Sequence, residues 1–266
     1  MINLSAGNPD LVTTTRRPPA PATGGGRESA RTRRFGTRAV LAAAGVFTAA
    51  VPLTILAVLI REKSPGLRAL DEDVSRAAQG FVLARPWLSE TLNVGSVILH
   101  PRLMWAVTGI TAIVLWRRGR RRHALWAVVT VAVGGTLDTP LKELFARARP
   151  VFDVPVATAP GYSFPSGHAL NTMIVGAGAV VLGWSATRSR PGARAALLAG
   201  AAALVLATGF DRVGLGVHYP SDVVGGWLIG LATVLATTAA FSIDLRPVER
   251  DPGEPATPES PERTTP

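Results

Sequence analysis

The sequence has no cysteine and almost no lysine. The absence of cysteine among its 266 residues excludes disulfide bonds and cysteine-ligated zinc sites. Lys63 and Lys142 are the only lysines, so 26 of the 28 basic residues (28 − 2) are arginine. The net charge of +10 is compatible with a nucleic-acid partner, but the arginines stand in short blocks between apolar runs. Membrane topology explains that distribution better, and we expect no nucleic-acid partner.

Both ends of the chain lack apolar periodicity. Residues 1–37 are rich in Pro, Gly, Thr and Arg, and residues 246–266 alternate Pro with Glu, Thr and Arg. Neither segment has enough apolar surface to bury, so both are expected to be disordered. We therefore predict a membrane domain over residues 38–245 between two disordered tails.

The middle of the chain contains six apolar segments of a length that suits a bilayer, which about 20 helical residues cross. They are residues 39–60, about 93 or 103 to 116, 124–141, 168–184, 195–210 and 223–241. The alternative for the first segment is a cleaved secretory signal. That segment is too long for a signal core, and no small-x-small cleavage site precedes Arg61. The sequence predicts an all-α bundle of six transmembrane helices.

The arginine blocks predict the orientation of this bundle. The block at 117–122, the arginines of the 185–194 loop and both tails fall on one side, which the positive-inside rule assigns to the cytoplasm. The other side receives residues 61–95, expected to be a loop with a short amphipathic helix, and the loops 142–167 and 211–222. We expect a multi-pass protein of the cell membrane with both termini in the cytoplasm.

Three polar segments, which we call the three islands, all fall on that second, extracytoplasmic side. They are residues 142–150, 162–168 and 211–222. Ionisable groups at a membrane boundary are costly and usually functional. Because the topology was assigned from charges outside the islands, their convergence on one face predicts a single site.

The first island offers two aligned cations. Lys142 and Arg149 are seven residues apart, which places them on one face of a helix that we expect to continue to Pro150. Asp138, four residues before Lys142, is positioned to pair with it. Arg147 lies off that face and is expected to extend towards the interface. The pair of cations predicts an anion clamp.

The second island is a turn that enters a helix. Ser166 suits the N-cap position, and Gly167 lets a ligand approach the backbone closely. A helix N-terminus presents free N–H groups that bind phosphate well. His168 in that first turn becomes a catalytic candidate beside a phosphate clamp.

The third island places an imidazole between a cation and a carboxylate. Arg212 precedes His218 by six residues, and Asp222 follows it by four. A carboxylate at that spacing can accept one imidazole N–H and leave the other nitrogen as a nucleophile. Asp222 as a simple partner of the helix dipole is the alternative. His100 and His123 lack such surroundings and are expected to be interfacial.

Together the islands resemble the three-part signature of the type 2 phosphatidic acid phosphatase (PAP2) superfamily. The matching residues are Lys142–x6–Arg149–Pro150, Pro165–Ser166–Gly167–His168 and Arg212–x5–His218–x3–Asp222. The resemblance covers about residues 39–242 and implies a six-helix membrane core with its site at the outer face. Asp211 departs from it, because the family usually has serine there, and an acid beside the clamp could weaken phosphate binding.

The resemblance also implies a role for each site residue. His218, oriented by Asp222, attacks phosphorus to form a phosphohistidine, and His168 protonates the leaving oxygen and then activates water. The phosphate-binding residues are Lys142, Arg149, Ser166, Gly167 and Arg212. Their three cations do the electrostatic work of a metal ion, so neither a metal nor another cofactor is expected.

A site at the membrane boundary suits a lipid substrate whose phosphate lies in the headgroup layer. We expect a phosphatidate-type monoester, with undecaprenyl (isoprenoid) diphosphate as the alternative. The vanadium haloperoxidases, which resemble this family in their site residues, are a second class, but they are soluble and larger. A lipid transporter that retains the fold without activity is a third class. The sequence leaves the oligomeric state open.

Overall fold

The computed structural model describes residues 45, 47–241 and 243, which contain eight α-helices and no β-strand. The helices are α1 (Phe47–Arg61), α2 (Pro65–Leu83), α3 (Pro86–Ile98), α4 (Pro101–Arg117), α5 (Arg121–Phe145), α6 (Gly167–Gly183), α7 (Pro191–Gly214) and α8 (Pro220–Ala240). The all-α prediction is confirmed for these residues. The two predicted tails, 1–37 and 246–266, lie outside the described part of the chain.

Proline begins five of the eight described helices. The residues are Pro65, Pro86, Pro101, Pro191 and Pro220. The proline ring fixes a helical φ, and the N–H that proline lacks would have no intrahelical partner in the first turn. Proline therefore determines where these helices start.

Three of the described helices, α5, α7 and α8, are long and apolar enough to cross a membrane. The helices α3 and α4 meet that criterion together, but they are bent by 47° at a short break. The helices α1 and α6 are apolar but shorter. Length and composition thus support three or four spans, and the total of six stays a prediction.

The segment 61–95 is more ordered than a loop with a short surface helix. It forms α2, which has 19 residues, and most of α3. Asp71 of α2 is only 1% exposed, so one face of this helix packs a charged group into the protein. The expected amphipathic helix is present but longer than predicted, and its position at the membrane surface stays a prediction.

Helix α5 ends before the first island is complete. Its last residue is Phe145, and Ala146 takes a left-handed conformation with φ of 42°. The Ala146 N–H donates to Lys142 O at 2.9 Å, which closes the helix end. The predicted continuation to Pro150 is wrong, and Arg149 therefore does not lie on one helical face with Lys142.

Glycines bring α6 and α8 close together. A Cβ atom at Gly226 would lie 2.5 Å from Ser166 O, and one at Gly230 would lie 2.6 Å from Leu170 O. Both distances are shorter than a van der Waals contact, so only glycine permits this approach of the two backbones. The close packing places the N-terminus of α6 beside the N-terminus of α8.

We expect Gly230→Ala to destabilise the bundle by about 1–3 kcal/mol, because the added methyl group meets a backbone oxygen that cannot rotate away. Thermal unfolding in detergent measures the effect. Gly200→Ala is the matched control. A Cβ atom at Gly200 would have no neighbouring atom within 4 Å, and the substitution gains the same helix propensity. Equal unfolding temperatures for the two variants would contradict the packing argument.

Candidate active site

The three islands come together at the N-terminus of α6, the C-terminus of α7 and the N-terminus of α8. The Ser166 N–H of the second island donates to Asp222 O of the third at 3.0 Å. Arg149 Nη1 of the first island lies 3.1 Å from His218 Nε2 of the third. The predicted convergence of the islands is confirmed at the level of direct contacts.

Backbone carbonyls hold Arg149 in place. Its guanidinium donates to Gly161 O at 3.1 Å, Pro160 O at 3.1 Å and Val217 O at 2.6 Å. Burial is the largest influence on this group and lowers the pKa of Arg149 below its ordinary value. These carbonyls orient the guanidinium but carry no net charge, so its positive charge stays available for an anion.

The contact with Arg149 determines the tautomer of His218. A guanidinium can only donate hydrogen bonds, so His218 Nε2 must carry a lone pair to accept one. The proton of the neutral ring is then on Nδ1, which lies 3.6 Å from Asp222 Oδ2, longer than a hydrogen bond. Burial lowers the pKa of His218, against the opposing effect of Asp222. The ring therefore stays neutral, as a nucleophile requires.

Asp222 has other partners besides His218. Its Oδ2 accepts from the Tyr219 N–H at 2.8 Å, and its Oδ1 accepts from Arg147 Nη1 at 2.7 Å. The bond from the Tyr219 N–H is typical of an acidic residue in the first turn of a helix, which is the alternative interpretation of Asp222. This fully buried carboxylate thus has the first-turn contact of the alternative, and it lies 3.6 Å from His218 Nδ1 without a hydrogen bond to it.

Arg212 and His168 form the other half of the site. Arg212 Nη1 lies 3.5 Å from His168 Nε2, which also lies 3.2 Å from Ser96 O. Asp211, 2% exposed, accepts from Arg212 Nε at 2.7 Å, and Nη2 makes a second contact with the same carboxylate oxygen. The acid that departs from the family pattern thus occupies two nitrogens of the arginine expected to hold phosphate.

Two local predictions around α6 are confirmed. Lys142 Nζ donates to Asp138 Oδ2 at 2.7 Å. Ser166 is the N-cap of α6, and its hydroxyl accepts from the Ala169 N–H at 3.5 Å. A Cβ atom at Gly167 would lie 3.0 Å from Asp138 Oδ1, so glycine is required there for a second reason. These contacts place the α6 N-terminus beside Lys142.

The prediction that Arg147 extends towards the interface is wrong. Its side chain is 15% exposed and pairs with Asp71 at 2.6 Å and Asp222 at 2.7 Å. Burial alone would lower the pKa of Arg147, but the two carboxylates outweigh it and raise that pKa. The role of Asp71 was not predicted, because no local sequence feature distinguishes it from the neighbouring acidic residues of α2.

The interpretation of His100 as a residue without site surroundings is also wrong. Its ring packs edge-on against the ring of His168, with centroids 5.5 Å apart. Its Nδ1 accepts from the Arg102 N–H at 3.2 Å, which caps α4. The bend between α3 and α4 brings this residue to the site, and the sequence alone does not show that bend.

The described helices thus gather three histidines and several cations at one site, a set of groups that can hold and attack a phosphate. The model of the PAP2 superfamily matches residues 123–244. The chain belongs to the PAP2 superfamily, whose phosphatases hydrolyse phosphate esters, and the predictions of this family and of phosphatase activity are confirmed.

Two relatives and one solved structure show how far this similarity extends. The chain is 28% identical to phosphatidylglycerophosphatase B of Bacillus subtilis (strain 168), over 66% of this chain and 85% of the relative. It is 32% identical to decaprenylphosphoryl-5-phosphoribose phosphatase of Mycobacterium tuberculosis, over 59% and 82% of the two chains. The crystal structure of a transmembrane PAP2 type phosphatidylglycerolphosphate phosphatase from Bacillus subtilis is similar with a TM-score of 0.59 and 26% identity. The similar region covers 73% of this chain and 94% of that one.

We expect Asp211→Ser to tighten the binding of vanadate, a phosphate analogue, by about threefold to tenfold. The substitution frees the two guanidinium nitrogens that Asp211 now occupies. The inhibition constant measures this, with thermal unfolding recorded in parallel. Asp153→Ser, which removes an exposed carboxylate from the loop after α5, is the control for net charge. Unchanged or weaker inhibition of a folded Asp211→Ser protein would show that the acid does not compete with phosphate.

Proposed function

We propose that this protein is an integral-membrane phosphatase that hydrolyses a phosphatidate-type phosphomonoester lipid through a phosphohistidine at His218. The observation that carries the proposal is the 3.1 Å contact of His218 Nε2 with Arg149 Nη1, a donor that only a lone pair can accept from. A neutral imidazole whose free nitrogen points at a cation is prepared to attack a phosphorus atom whose oxygens that cation holds. The names of the relatives above, each a phosphatase of a lipid phosphate, support the substrate class.

The proposed reaction has two steps. His218 Nε2 attacks phosphorus, the bond from phosphorus to the leaving oxygen breaks, and His168 gives that oxygen a proton. His168 then takes a proton from water, whose oxygen attacks phosphorus and breaks the phosphorus–nitrogen bond. The products are the lipid alcohol and inorganic phosphate, and both histidines return to their starting states.

Three cations would stabilise the phosphoryl group in both steps, together with the Gly167 N–H and Ser166. Lys142 is already paired with Asp138, and Arg212 is paired with Asp211. Arg149 has no ion pair with any carboxylate in the part of the chain that the structure describes. We therefore assign the largest share of phosphate binding to Arg149, and we propose that no metal ion takes part.

The proposed topology keeps six spans within a domain over residues 38–245, with both tails in the cytoplasm. Support comes from the helix ends: α5 ends, and α6 begins, beside the site, while their other ends adjoin the arginine blocks at 117–122 and 188–194. The positive-inside rule puts those blocks in the cytoplasm, and the site then faces the extracytoplasmic headgroup layer.

Hydrolysis of an isoprenoid diphosphate such as undecaprenyl diphosphate is the second candidate. The observation that favours it is the 32% identity to a decaprenylphosphoryl-5-phosphoribose phosphatase, whose name describes an isoprenoid phosphate. The site residues described above would contact the phosphate, and they leave the choice of lipid tail to measurement.

A panel of lipid phosphates decides between these candidates. We expect phosphate release in detergent to be fastest from phosphatidate or phosphatidylglycerol phosphate, slower from undecaprenyl diphosphate, and unaffected by EDTA. Fastest release from undecaprenyl diphosphate would establish the second candidate, and loss of activity with EDTA would contradict the metal-free mechanism. His218→Ala is expected to lower the rate by about 10³-fold or more on every substrate.

Trapping of the intermediate tests the nucleophile. With p-nitrophenyl phosphate, whose leaving group needs no proton, we expect His168→Ala to release a burst of nitrophenol and retain an acid-labile phosphoryl group on the protein. The reason is that His168 is then required only for the attack of water. His218→Ala should show neither burst nor label. A burst in the His218→Ala protein, or a label stable to acid, would rule out a phosphohistidine at this residue.

A further inference from the structure

A buried group of polar side chains surrounds Asp222, and Asp222 is its only member with a role in the proposed mechanism. We call it the buried charge network and define it as Asp71, Arg147, Ser221 and Asp222. Asp71 comes from α2, whereas the family model matches residues 123–244. The network therefore connects Asp222 to a helix that lies outside the segment matched by the family model.

Three members of the network, Asp71, Arg147 and Ser221, form a closed ring of hydrogen bonds, and Asp222 is bonded to this ring through Arg147. Asp71 Oδ2 accepts from Arg147 Nη2 at 2.6 Å and from the Ser221 hydroxyl at 2.5 Å, and Asp71 Oδ1 accepts from the Ser221 N–H at 3.0 Å. Arg147 Nη1 then donates to Asp222 Oδ1 at 2.7 Å and to the Ser221 hydroxyl oxygen at 2.6 Å. Each member thus has at least two partners in the ring or in the adjacent first turn of α8.

The ring fixes the orientation of the Asp222 carboxylate. Its Oδ1 is held by Arg147, and its Oδ2 is held by the Tyr219 N–H. The guanidinium of Arg147 is itself confined between Asp71 and the ring of Tyr219, whose centroid is 4.5 Å away. Rotation of the Asp222 carboxylate would break one of these bonds, so Oδ2 stays on the side of His218 Nδ1.

The charges of the network do not cancel. Asp71 is 1% exposed, Asp222 is fully buried, and a single guanidinium serves both carboxylates. One negative charge remains, and the imidazole of His218, which can take up positive charge, lies 3.6 Å from Asp222 Oδ2. When Nε2 bonds to phosphorus while Nδ1 keeps its proton, the ring becomes cationic. The remaining negative charge is in place to stabilise it.

We propose that Asp71 and Arg147 are positioning residues for the reaction, acting on His218 through Asp222. Arg147 keeps the Asp222 carboxylate correctly oriented, and Asp71 supplies the second negative charge that prevents Arg147 from neutralising Asp222. The inference rests on the proposed nucleophilic role of His218. Neither positioning residue needs to touch the substrate.

A double-mutant cycle tests this assignment. We expect Asp71→Asn to lower kcat by about 10- to 100-fold, the usual effect of losing a partner that orients a reactive group, with KM within about twofold. In an Asp222→Asn background the same substitution should change kcat by less than about twofold, because residues that act as a unit are not additive. Asp73→Asn, an exposed carboxylate on the same helix, is the matched control and should leave kcat unchanged.

Conservative variants at Arg147 separate positioning from folding. Arg147→Lys keeps the positive charge but not the guanidinium geometry that bonds to two carboxylates. It should therefore have a higher kcat than Arg147→Gln, and both variants should still bind vanadate. Rates are expressed per folded molecule from size-exclusion profiles in detergent. If Asp71→Asn does not fold, the proposal is tested by comparing the kcat of Arg147→Lys with that of Arg147→Gln.

Four results would overturn the proposal. They are a fully active Asp71→Asn protein, an equal loss from Asp71→Asn in both backgrounds, a change confined to KM, and equal kcat values for Arg147→Lys and Arg147→Gln. Failure of the underlying function gives a different result, namely an active His218→Ala protein. An inactive His218→Ala protein together with a fully active Asp71→Asn protein would reject only the positioning role.

Discussion

The structure depends on how one fully buried carboxylate, Asp222, is compensated. A charge removed from water must be paired and hydrogen-bonded, or the fold loses more free energy than most single interactions supply. Arg147 provides the opposite charge, and the Tyr219 N–H provides a further bond. The backbone oxygen of the same residue accepts from the Ser166 N–H, which ties the second island to the third. One residue thus connects helix capping, charge compensation and the assembly of the site.

Close backbone packing makes this arrangement possible. Gly226 and Gly230 let α8 approach α6 to within contact of its backbone oxygens, and the N-termini of both helices then meet at the site. The free N–H groups and positive dipole ends there favour an anion, in addition to the arginines. Small residues at a helix interface therefore determine not only stability but also where the proposed phosphate site lies.

The cations of the site are partly compensated before any substrate arrives. Lys142 is paired with Asp138 and Arg212 with Asp211, whereas Arg149 is held by carbonyl groups. In the proposed site, a phosphate would compete with those carboxylates, which limits the affinity gained from Lys142 and Arg212. It would gain the charge of Arg149 without such competition. The three cations are therefore not equivalent, and the difference between them follows from the geometry of the site.

The local features of the site could be predicted because local spacing determines them. The pair of Asp138 and Lys142 and the N-cap at Ser166 each depend on residues three or four positions apart, whose relative placement a helix fixes. The placement of Asp222 near His218 has the same origin, although their separation of 3.6 Å exceeds a hydrogen bond. The apolar runs likewise indicated an all-helical membrane protein.

Tertiary structure decided the contacts that join distant parts of the chain. Arg147 pairs with Asp71 across 76 positions, and the ring of His100 meets His168 only because the helix pair α3–α4 is bent. The end of α5 at Ala146, a residue without special left-handed preference, turns Arg147 inward. The sequence by itself determined which residues could bind and transfer phosphate. The fold decided which buried charges compensate one another, because that depends on which side chains lose water together.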